Sequence, residues 1–238
     1  MSRWPNKLLA ALRTLVRPEP VYLGAGQQGE VLAQFSNWCA QHAGAACEIG
    51  LSSHWIAYCL LPAQALALSR EEQKDYARRQ FDHYFGAAPR AVSISENPRV
   101  PLACGCDQAL IDALQAAAKT SSVRIARIVP WWARSAEQAL KVKSDASIVL
   151  AAQEGERVTL IAARDGVVQR VLSETSSDRA DWVARIAAAG DGWEQGAAWQ
   201  FLAVPEGIGA SRSGPDIAHL LRGRGSWRVF GRQIGQGA

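Results

Sequence analysis

The stretch SIVLAAQEGERVTLIAARDGVVQRVLSE, residues 147–174, decides the fold class of this 238-residue chain. Residues 147–153 are apolar on both faces, as in a central strand, and a Glu154-Gly155 turn leads into a second apolar run at 157–164. Asp165-Gly166 then makes the next turn. Asp-Gly between β-branched runs is a strong hairpin signal, because a type I′ turn needs positive φ at both central positions. The stretch therefore predicts three consecutive antiparallel strands.

The rest of the second half extends this pattern. We expect a helix at 178–189, a strand at 199–204, a short helix at 216–221 and a last strand at 227–230. Three antiparallel strands followed by alternating helices and strands is the ribonuclease-H-like order. The fold class predicted for this half is therefore α/β with a mixed sheet.

The first half also alternates between strands and helices. Ser69 followed by Glu72 predicts the start of a helix at 69–85, and Gly86 is well placed to end it. Asp107 is predicted to cap a helix that continues to residue 118. The apolar segments 45–52 and 54–61 are expected to pair, with Pro62 ending the second. The remaining predictions are strands at 21–23, 91–95, 100–104 and 123–129 and a helix at 30–42.

Residues 3–17 are predicted to form an amphipathic helix with an apolar stripe on one side and basic residues on the other. Arg17-Pro18 ends it, because proline disfavours helical geometry in the residue before it. The helix either docks on this same protein or contacts a partner groove or a membrane surface. The candidate contact residues are Trp4, Leu8, Leu12, Leu15, Lys7 and Arg13.

The charge distribution separates the ends of the chain from its body. Residues 1–17 and 217–238 each carry four Lys or Arg and no acidic residue, which leaves 18 basic against 22 acidic residues between them. Basic ends suit an acidic partner or an anionic membrane surface, whereas a nucleic-acid binder usually has a basic, aromatic-rich stripe on its folded body. Nucleic acid is therefore not the expected partner. The predicted organisation is a helix and linker at 1–20, a first half at 21–143, and a second half with a basic C-terminal arm at 144–238.

Four segments occur in an order that resembles a known family. They are LSSHWIAYCLLP (51–62), EEQKDYARRQFDHYFG (71–86), RIVPWW (127–132) and EGERVTLIAARDG (154–166). Together they resemble the actin-like cytoplasmic domain of the L component of type II secretion and its relative, the M component of type IV pilus assembly. The resemblance covers roughly residues 21–205.

This resemblance implies an actin-like fold with two ribonuclease-H-like halves and a role as a scaffold on an inner-membrane assembly platform. The implied partners are other platform proteins, including a secretion ATPase or the cytoplasmic tail of a membrane protein. No apolar run in the 238 residues reaches the roughly 20 needed to cross a bilayer, so membrane contact is expected through a partner or through the amphipathic helix. The expected location is the cytoplasm, peripheral to the inner membrane.

An actin-like ATPase needs an acid-and-glycine turn in each half to hold phosphate and position a metal ion or water. The turn in the second half, at 153–156, keeps Gly155 but surrounds it with carboxylates that would repel phosphate. The corresponding turn in the first half, after Leu23, has no acid between residues 21 and 28. We therefore predict a degenerate nucleotide site, a pseudo-ATPase without catalytic residues, and no cofactor.

The alternative is a nucleotide-binding or dinucleotide-binding protein that uses ATP or NAD(P). Gly24, Gly26 and Gly29 satisfy G-x-G-x-x-G after a strand and before a helix, and Glu48 lies near the position expected for a ribose-binding acid. Against this, the opening strand is short, and Glu48 begins a predicted strand where it should end one. Plain turn glycines are the competing interpretation, and Gly155 would join the site if nucleotide binds.

Five cysteines, an odd number scattered through apolar segments, indicate reduced thiols and a cytoplasmic setting. Cys104-Gly105-Cys106 lacks the further paired ligands that a zinc site needs. The four histidines are isolated in sequence. We therefore predict no metal site.

Overall fold

The structure is a computed structural model, and it describes residues 18–142, 147–175, 198–202 and 227–230. The helices predicted at 3–17, 178–189 and 216–221 lie outside these residues. The domain boundaries predicted after residues 20 and 143 stay a prediction. None of the described helices is long and apolar enough to cross a membrane.

The first sheet is a three-stranded parallel sheet in the order β1-β2-β6. Its strands are β1 (Glu19–Leu23), β2 (Ala46–Leu51) and β6 (Arg124–Pro130), and helix α1 (Gln28–Gln41) connects β1 to β2. β2 is almost wholly buried, as expected for the central strand of a parallel sheet covered on its faces. The β1-α1-β2 segment is thus a complete βαβ unit.

The second sheet is antiparallel in the order β3-β5-β4, and it is built from β3 (Ile56–Leu60), β4 (Arg90–Ile94) and β5 (Leu102–Asp107). The expected pairing of the segments at 45–52 and 54–61 is wrong, because the first forms β2 and the second forms β3 in a different sheet. β2 already has β1 on one edge and β6 on the other, so it has no edge left for β3.

Two helices lie beside these sheets. The predicted capping box begins α3 (Arg70–Phe85), which follows the short helix α2 (Ala63–Leu66). Glu72 N donates to Ser69 Oγ at 3.4 Å, and Ser69 N donates to Glu72 Oε2 at 2.9 Å. Gly86 ends α3 with φ +78°, a conformation that glycine adopts without strain. Helix α4 (Gln108–Thr120) begins at Asp107, whose Oδ1 accepts from Ala109 N at 2.8 Å, as predicted.

The third sheet has the order β11-β10-β7-β8-β9. The three antiparallel strands predicted between residues 147 and 174 are confirmed as β7 (Ile148–Glu154), β8 (Arg157–Arg164) and β9 (Val167–Thr175). Asp165 and Gly166 have φ of +54° and +71°, as the predicted type I′ turn requires. β10 (Ala198–Leu202) lies parallel to β7, and β11 (Trp227–Phe230) lies parallel to β10, which gives a mixed sheet.

Helix α5 (Ala133–Val142), which the sequence patterns did not predict, lies where the first part of the chain meets the third sheet. Its buried side chains join a core cluster with the two tryptophans before it and with the inner face of β7 and β8. The buried members of this cluster in α5 and β7 include Ala136, Leu140, Ile148 and Leu150. The two halves are therefore joined by a continuous hydrophobic core.

Candidate functional site

The end of β7 is held against the loop that follows β2. Glu154, the last residue of β7, is only 4 % exposed. Its Oε1 accepts from the Tyr22 hydroxyl at 2.7 Å, and its Oε2 accepts from the backbone N of Ser53 at 2.7 Å. Both carboxylate oxygens are thus bound by groups from the first half of the chain.

Arg157 makes a second contact between the same two elements. It lies opposite Glu154 in the β7–β8 ladder, and its Nη1 donates to the backbone O of Ser53 at 2.9 Å. The hairpin therefore binds both the backbone donor and the backbone acceptor of a residue that is fully buried. Backbone groups at this depth need such partners, because an unpaired buried polar group is costly.

Two aromatic residues extend this network into the first half. The Tyr58 hydroxyl donates to Ser53 Oγ at 3.1 Å and accepts from Trp132 Nε1 at 3.1 Å. Burial, followed by the charge of Glu154, raises the pKa of Tyr22, and burial is also the main cause that raises the pKa of Tyr58. Both phenols therefore stay protonated and act as hydrogen-bond donors. We call Tyr22, Ser53, Tyr58, Trp132, Glu154 and Arg157 the interlobe cluster.

The interlobe cluster lies at the turn 153–156, which the resemblance to actin-like proteins implies as a phosphate position. The two carboxylates that flank Gly155 were predicted to repel phosphate at this turn. In the structure these two side chains have different environments. Glu156 is exposed, whereas Glu154 is buried against the first half with both oxygens bonded. A carboxylate fixed in this way supports packing between the halves and is not available as a metal ligand or general base.

The glycines of the alternative site lie in the connection between β1 and α1. Gly24 is buried and its O accepts from Trp55 Nε1 at 2.9 Å, whereas Gly26 is exposed. Gly29 is the second residue of α1, and a Cβ there would meet nothing within 4 Å. The βαβ connection matches what a dinucleotide fingerprint needs, but no tight helix–strand contact depends on Gly29. Nucleotide binding by Gly24, Gly26, Gly29 and Gly155 stays a prediction.

Glu48 is not available for a ribose. It lies within β2 at 5 % exposure, and its carboxylate is bound by the guanidinium groups of Arg127 and Arg134, with Arg134 Nη2 at 2.6 Å from Oε2. Burial alone would raise the pKa of Glu48, but the hydrogen bonds from the two arginines outweigh it and hold the pKa below its usual range. This part of the alternative interpretation is wrong, because the Glu48 carboxylate is already paired with two arginines in a part-buried ion-pair cluster.

The remaining candidates are the contact residues of the predicted N-terminal helix, a metal site and the cysteines. Trp4, Leu8, Leu12, Leu15, Lys7 and Arg13 lie outside the described residues. In the described parts of the chain no group of three or more His, Cys, Asp or Glu is placed to hold a metal ion. Burial raises the pKa of Cys104 to about 12 and of Cys106 to about 11, so both stay as unreactive thiols at neutral pH.

Most of the interlobe cluster was not predicted from the amino-acid sequence. Tyr22 and Arg157 looked like ordinary strand residues, and Ser53 entered only within a segment that carried a resemblance. The usable signal was a pair of serines directly after a buried strand, because short polar side chains there often bind backbone groups at a junction.

The fold of this chain is similar to that of solved structures, whereas its sequence has no close match. No protein-family model matches the sequence, and no curated protein sequence matches it. A Bacteroides thetaiotaomicron protein with an actin-like ATPase fold and unknown function matches with a TM-score of 0.59 at 10 % identity, over 84 % of this chain and 76 % of that one. The chain described here has an actin-like fold.

Two further solved structures come from a type IV pilus complex and from a type II secretion system. A chain of the PilM-PilN type IV pilus biogenesis complex matches with a TM-score of 0.51 at 11 % identity, over 74 % of this chain and 66 % of that one. The cytoplasmic domain of EpsL, an inner membrane component of the type II secretion system of Vibrio cholerae, matches with a TM-score of 0.45 at 13 % identity, over 90 % and 89 %. The first two of these three structures confirm the predicted actin-like fold.

Proposed function

We propose that this chain is a non-catalytic, actin-like assembly protein of a type IV pilus or type II secretion platform, working in the cytoplasm at the inner membrane. The observation that carries the proposal is the position of Glu154. At the turn that the resemblance assigns to phosphate, the Glu154 carboxylate is bound by the Tyr22 hydroxyl and by Ser53 N, so it joins the two halves and is not free for metal or water. The other acid of this turn, Glu156, is exposed, and its charge would repel phosphate.

Three observations support the role and the location. The fold is shared with a chain of a pilus biogenesis complex. The cysteines in the described residues are free thiols, which suits a reducing compartment. The chain ends are basic, which suits an acidic partner tail or an anionic membrane surface.

The proposed partner is a platform protein, either the cytoplasmic tail of a membrane protein or a secretion ATPase. The amphipathic segment at 3–17 is the proposed contact, through Trp4, Leu8, Leu12 and Leu15, with Lys7 and Arg13 facing acidic groups. Binding of the purified full chain to tail peptides and to the secretion ATPase of the same genome would be measured by isothermal titration calorimetry. The Leu8→Glu/Leu12→Glu variant should lose binding at unchanged melting temperature. A variant that is less stable yet binds normally would show that this helix docks on its own chain.

Nucleotide binding tests the non-catalytic part of the proposal. A ligand at about 100 times its dissociation constant stabilises a protein by about 2.7 kcal/mol, which raises the melting temperature by about 5 to 10 °C for a domain of this size. We expect shifts below about 1 °C with ATP–Mg²⁺, NAD or NADP at about 1 mM, and no ATP turnover. A shift of several degrees that Gly26→Ala abolishes would overturn the proposal.

The second candidate function is nucleotide or dinucleotide binding at Gly24, Gly26 and Gly29. The parallel β1-α1-β2 unit favours it, because the glycine-rich connection lies between a strand and a helix as the fingerprint requires. The same thermal-shift measurement decides between the two candidates.

A further inference from the structure

β4 lies at an edge of the antiparallel sheet. Among the described residues, no strand pairs with its outer side. Gln108 N donates to Pro89 O and Ser95 N donates to Leu102 O, which fixes the odd-numbered residues from 89 to 95 as those bonded to β5. The backbone N–H and C=O groups of Arg90, Val92 and Ile94 therefore point outward, away from β5.

The side chains along this edge are suited to pairing. Val92 and Ile94 pack on the α3 side of the sheet, and residues 90–94 contain no proline to block a further strand. Arg90, the one charged residue in this range, points to the same side and is neutralised there by Asp82. The end of α3 brings two large exposed side chains beside it, Tyr84 at 71 % and Phe85 at 56 %. Phe85 O accepts from Arg90 Nη2 at 3.2 Å, so these aromatic residues lie next to the start of β4.

We propose that the outer edge of β4 pairs antiparallel with β4 of a second copy of this chain, making a two-fold dimer with a continuous six-stranded sheet. Outward-facing residues must lie opposite one another, so the registers that best overlap β4 have the two-fold axis at Ala91, Val92 or Ser93. With Ala91 on the axis, Arg90 would lie opposite Val92 of the second copy. With Val92 on the axis, Arg90 would lie opposite Ile94 of the second copy. With Ser93 on the axis, Arg90 lies opposite Glu96 and Val92 lies opposite Ile94.

Charge and side-chain shape select the register with Ser93 on the axis. It sets opposite charges and β-branched residues across from each other, and the two-fold axis repeats each pair. Arg90 is already oriented by its bonds to Gly86 O at 2.8 Å and to Asp82 at 3.3 Å. Glu96 is exposed and has no ion pair within 4 Å in the described part of the chain, although its charge contributes to raising the pKa of Arg127. This dimer does not depend on the role proposed above.

Site-directed crosslinking tests the register in the full chain. In the proposed dimer the two Ser93 residues form a non-hydrogen-bonded pair with Cα atoms about 4.5 Å apart, which is within disulfide reach. Under mild oxidation Ser93→Cys should form an interchain disulfide. Ala91→Cys is the matched control, because Ala91 lies on the same face of β4 as Ser93. In the proposed register Ala91 lies opposite Ser95 of the second copy, four residues away from the Ala91 of that copy. Wild-type chain measures the background of the native cysteines.

Sedimentation equilibrium tests the charge pair. Glu96→Arg should weaken dimerisation about tenfold by setting arginine opposite Arg90. Glu30→Arg, the same charge change on the exposed face of α1, should leave it unchanged. The proposal is overturned if Ser93→Cys crosslinks no faster than Ala91→Cys, which would be the outcome if the edge instead takes a peptide of another protein. It is also overturned if Glu96→Arg and wild type associate equally.

Discussion

The Tyr22 hydroxyl donates to Glu154 Oε1 across 2.7 Å, which ties β1 to the end of β7, 132 residues later. The bond is buried, and the second carboxylate oxygen is bound by Ser53 N. Because the hydrophobic core is continuous between the same elements, this polar contact fixes the orientation of two halves that already share apolar packing. The contribution of this hydrogen bond to stability can be measured by substituting either Tyr22 or Glu154.

Tyr22→Phe should destabilise the protein by about 1 to 3 kcal/mol, because it leaves a buried carboxylate oxygen without its donor. Urea unfolding at neutral pH would measure the loss. Tyr84→Phe removes the same hydroxyl from a side chain that is 71 % exposed, and it should stay within about 0.5 kcal/mol of wild type. Equal effects from the two substitutions would contradict a structural role for the Tyr22–Glu154 bond.

Glu154→Gln should also destabilise, by about 1 to 2 kcal/mol, because an amide offers one acceptor where Ser53 N and Tyr22 Oη now find two. Glu156→Gln in the same turn is exposed and should be neutral. The Tyr22→Phe/Glu154→Gln double variant should lose less than the sum of the single losses, since the two groups share one bond. Strict additivity would show that the two side chains do not interact in solution.

Local signals predicted the parts of the fold that local chemistry determines. The Asp165-Gly166 turn and the Ser69–Glu72 capping box were predictable because each depends on residues within a few positions of one another. The pairing of the first-half strands was not, since nothing in the apolar segments around Ile49 and Tyr58 specifies which sheet edge each will meet. Helix α5 was missed because it is only ten residues long and follows directly on the strand-ending Pro130 and the two tryptophans, although half of its residues are apolar.

From the sequence, the candidate site was predictable only as a poor site for phosphate. The charge beside Gly155 indicated a poor phosphate site, but no pattern could place Tyr22 or Ser53 against Glu154, because more than 100 residues separate them. Likewise, Glu48 had the spacing of a ribose-binding acid, yet its partners Arg127 and Arg134 come from β6 and α5. Contacts between distant segments decide what a carboxylate does.

Glu48→Gln should lower stability at about pH 7 by about 1 to 2 kcal/mol, less than a fully buried pair because both arginines are partly exposed. The arginines hold the folded-state pKa of Glu48 below its unfolded value. The ionised carboxylate therefore stabilises the fold above about pH 4.5, and this contribution is lost as pH falls through the depressed folded pKa.

Urea unfolding of both proteins from about pH 7 down to about pH 3.5 would test this dependence. The difference between wild type and Glu48→Gln should be constant above about pH 4.5 and shrink below it. Glu30→Gln, which changes an exposed acid on α1, is the control and should show no such difference. A difference that grows as the solution is acidified would contradict the assignment.

Gly105→Ala should destabilise by about 1 to 3 kcal/mol, because a Cβ at this position would lie 2.8 Å from Cε2 and 2.9 Å from Cδ2 of Phe81. The Phe81 ring is 1 % exposed and packed between α3 and the antiparallel sheet, so it cannot move aside cheaply. In a Phe81→Leu background, which removes the facing ring, the same substitution should cost much less.

Gly29→Ala is the matched control: its Cβ meets nothing within 4 Å at the start of α1, and it should be neutral or stabilise by up to about 1 kcal/mol. Thermal unfolding of Gly105→Ala, Phe81→Leu, the double variant and Gly29→Ala would measure these changes in stability. A cost of Gly105→Ala that persists in the Phe81→Leu background would show that the backbone, and not the ring, requires glycine there.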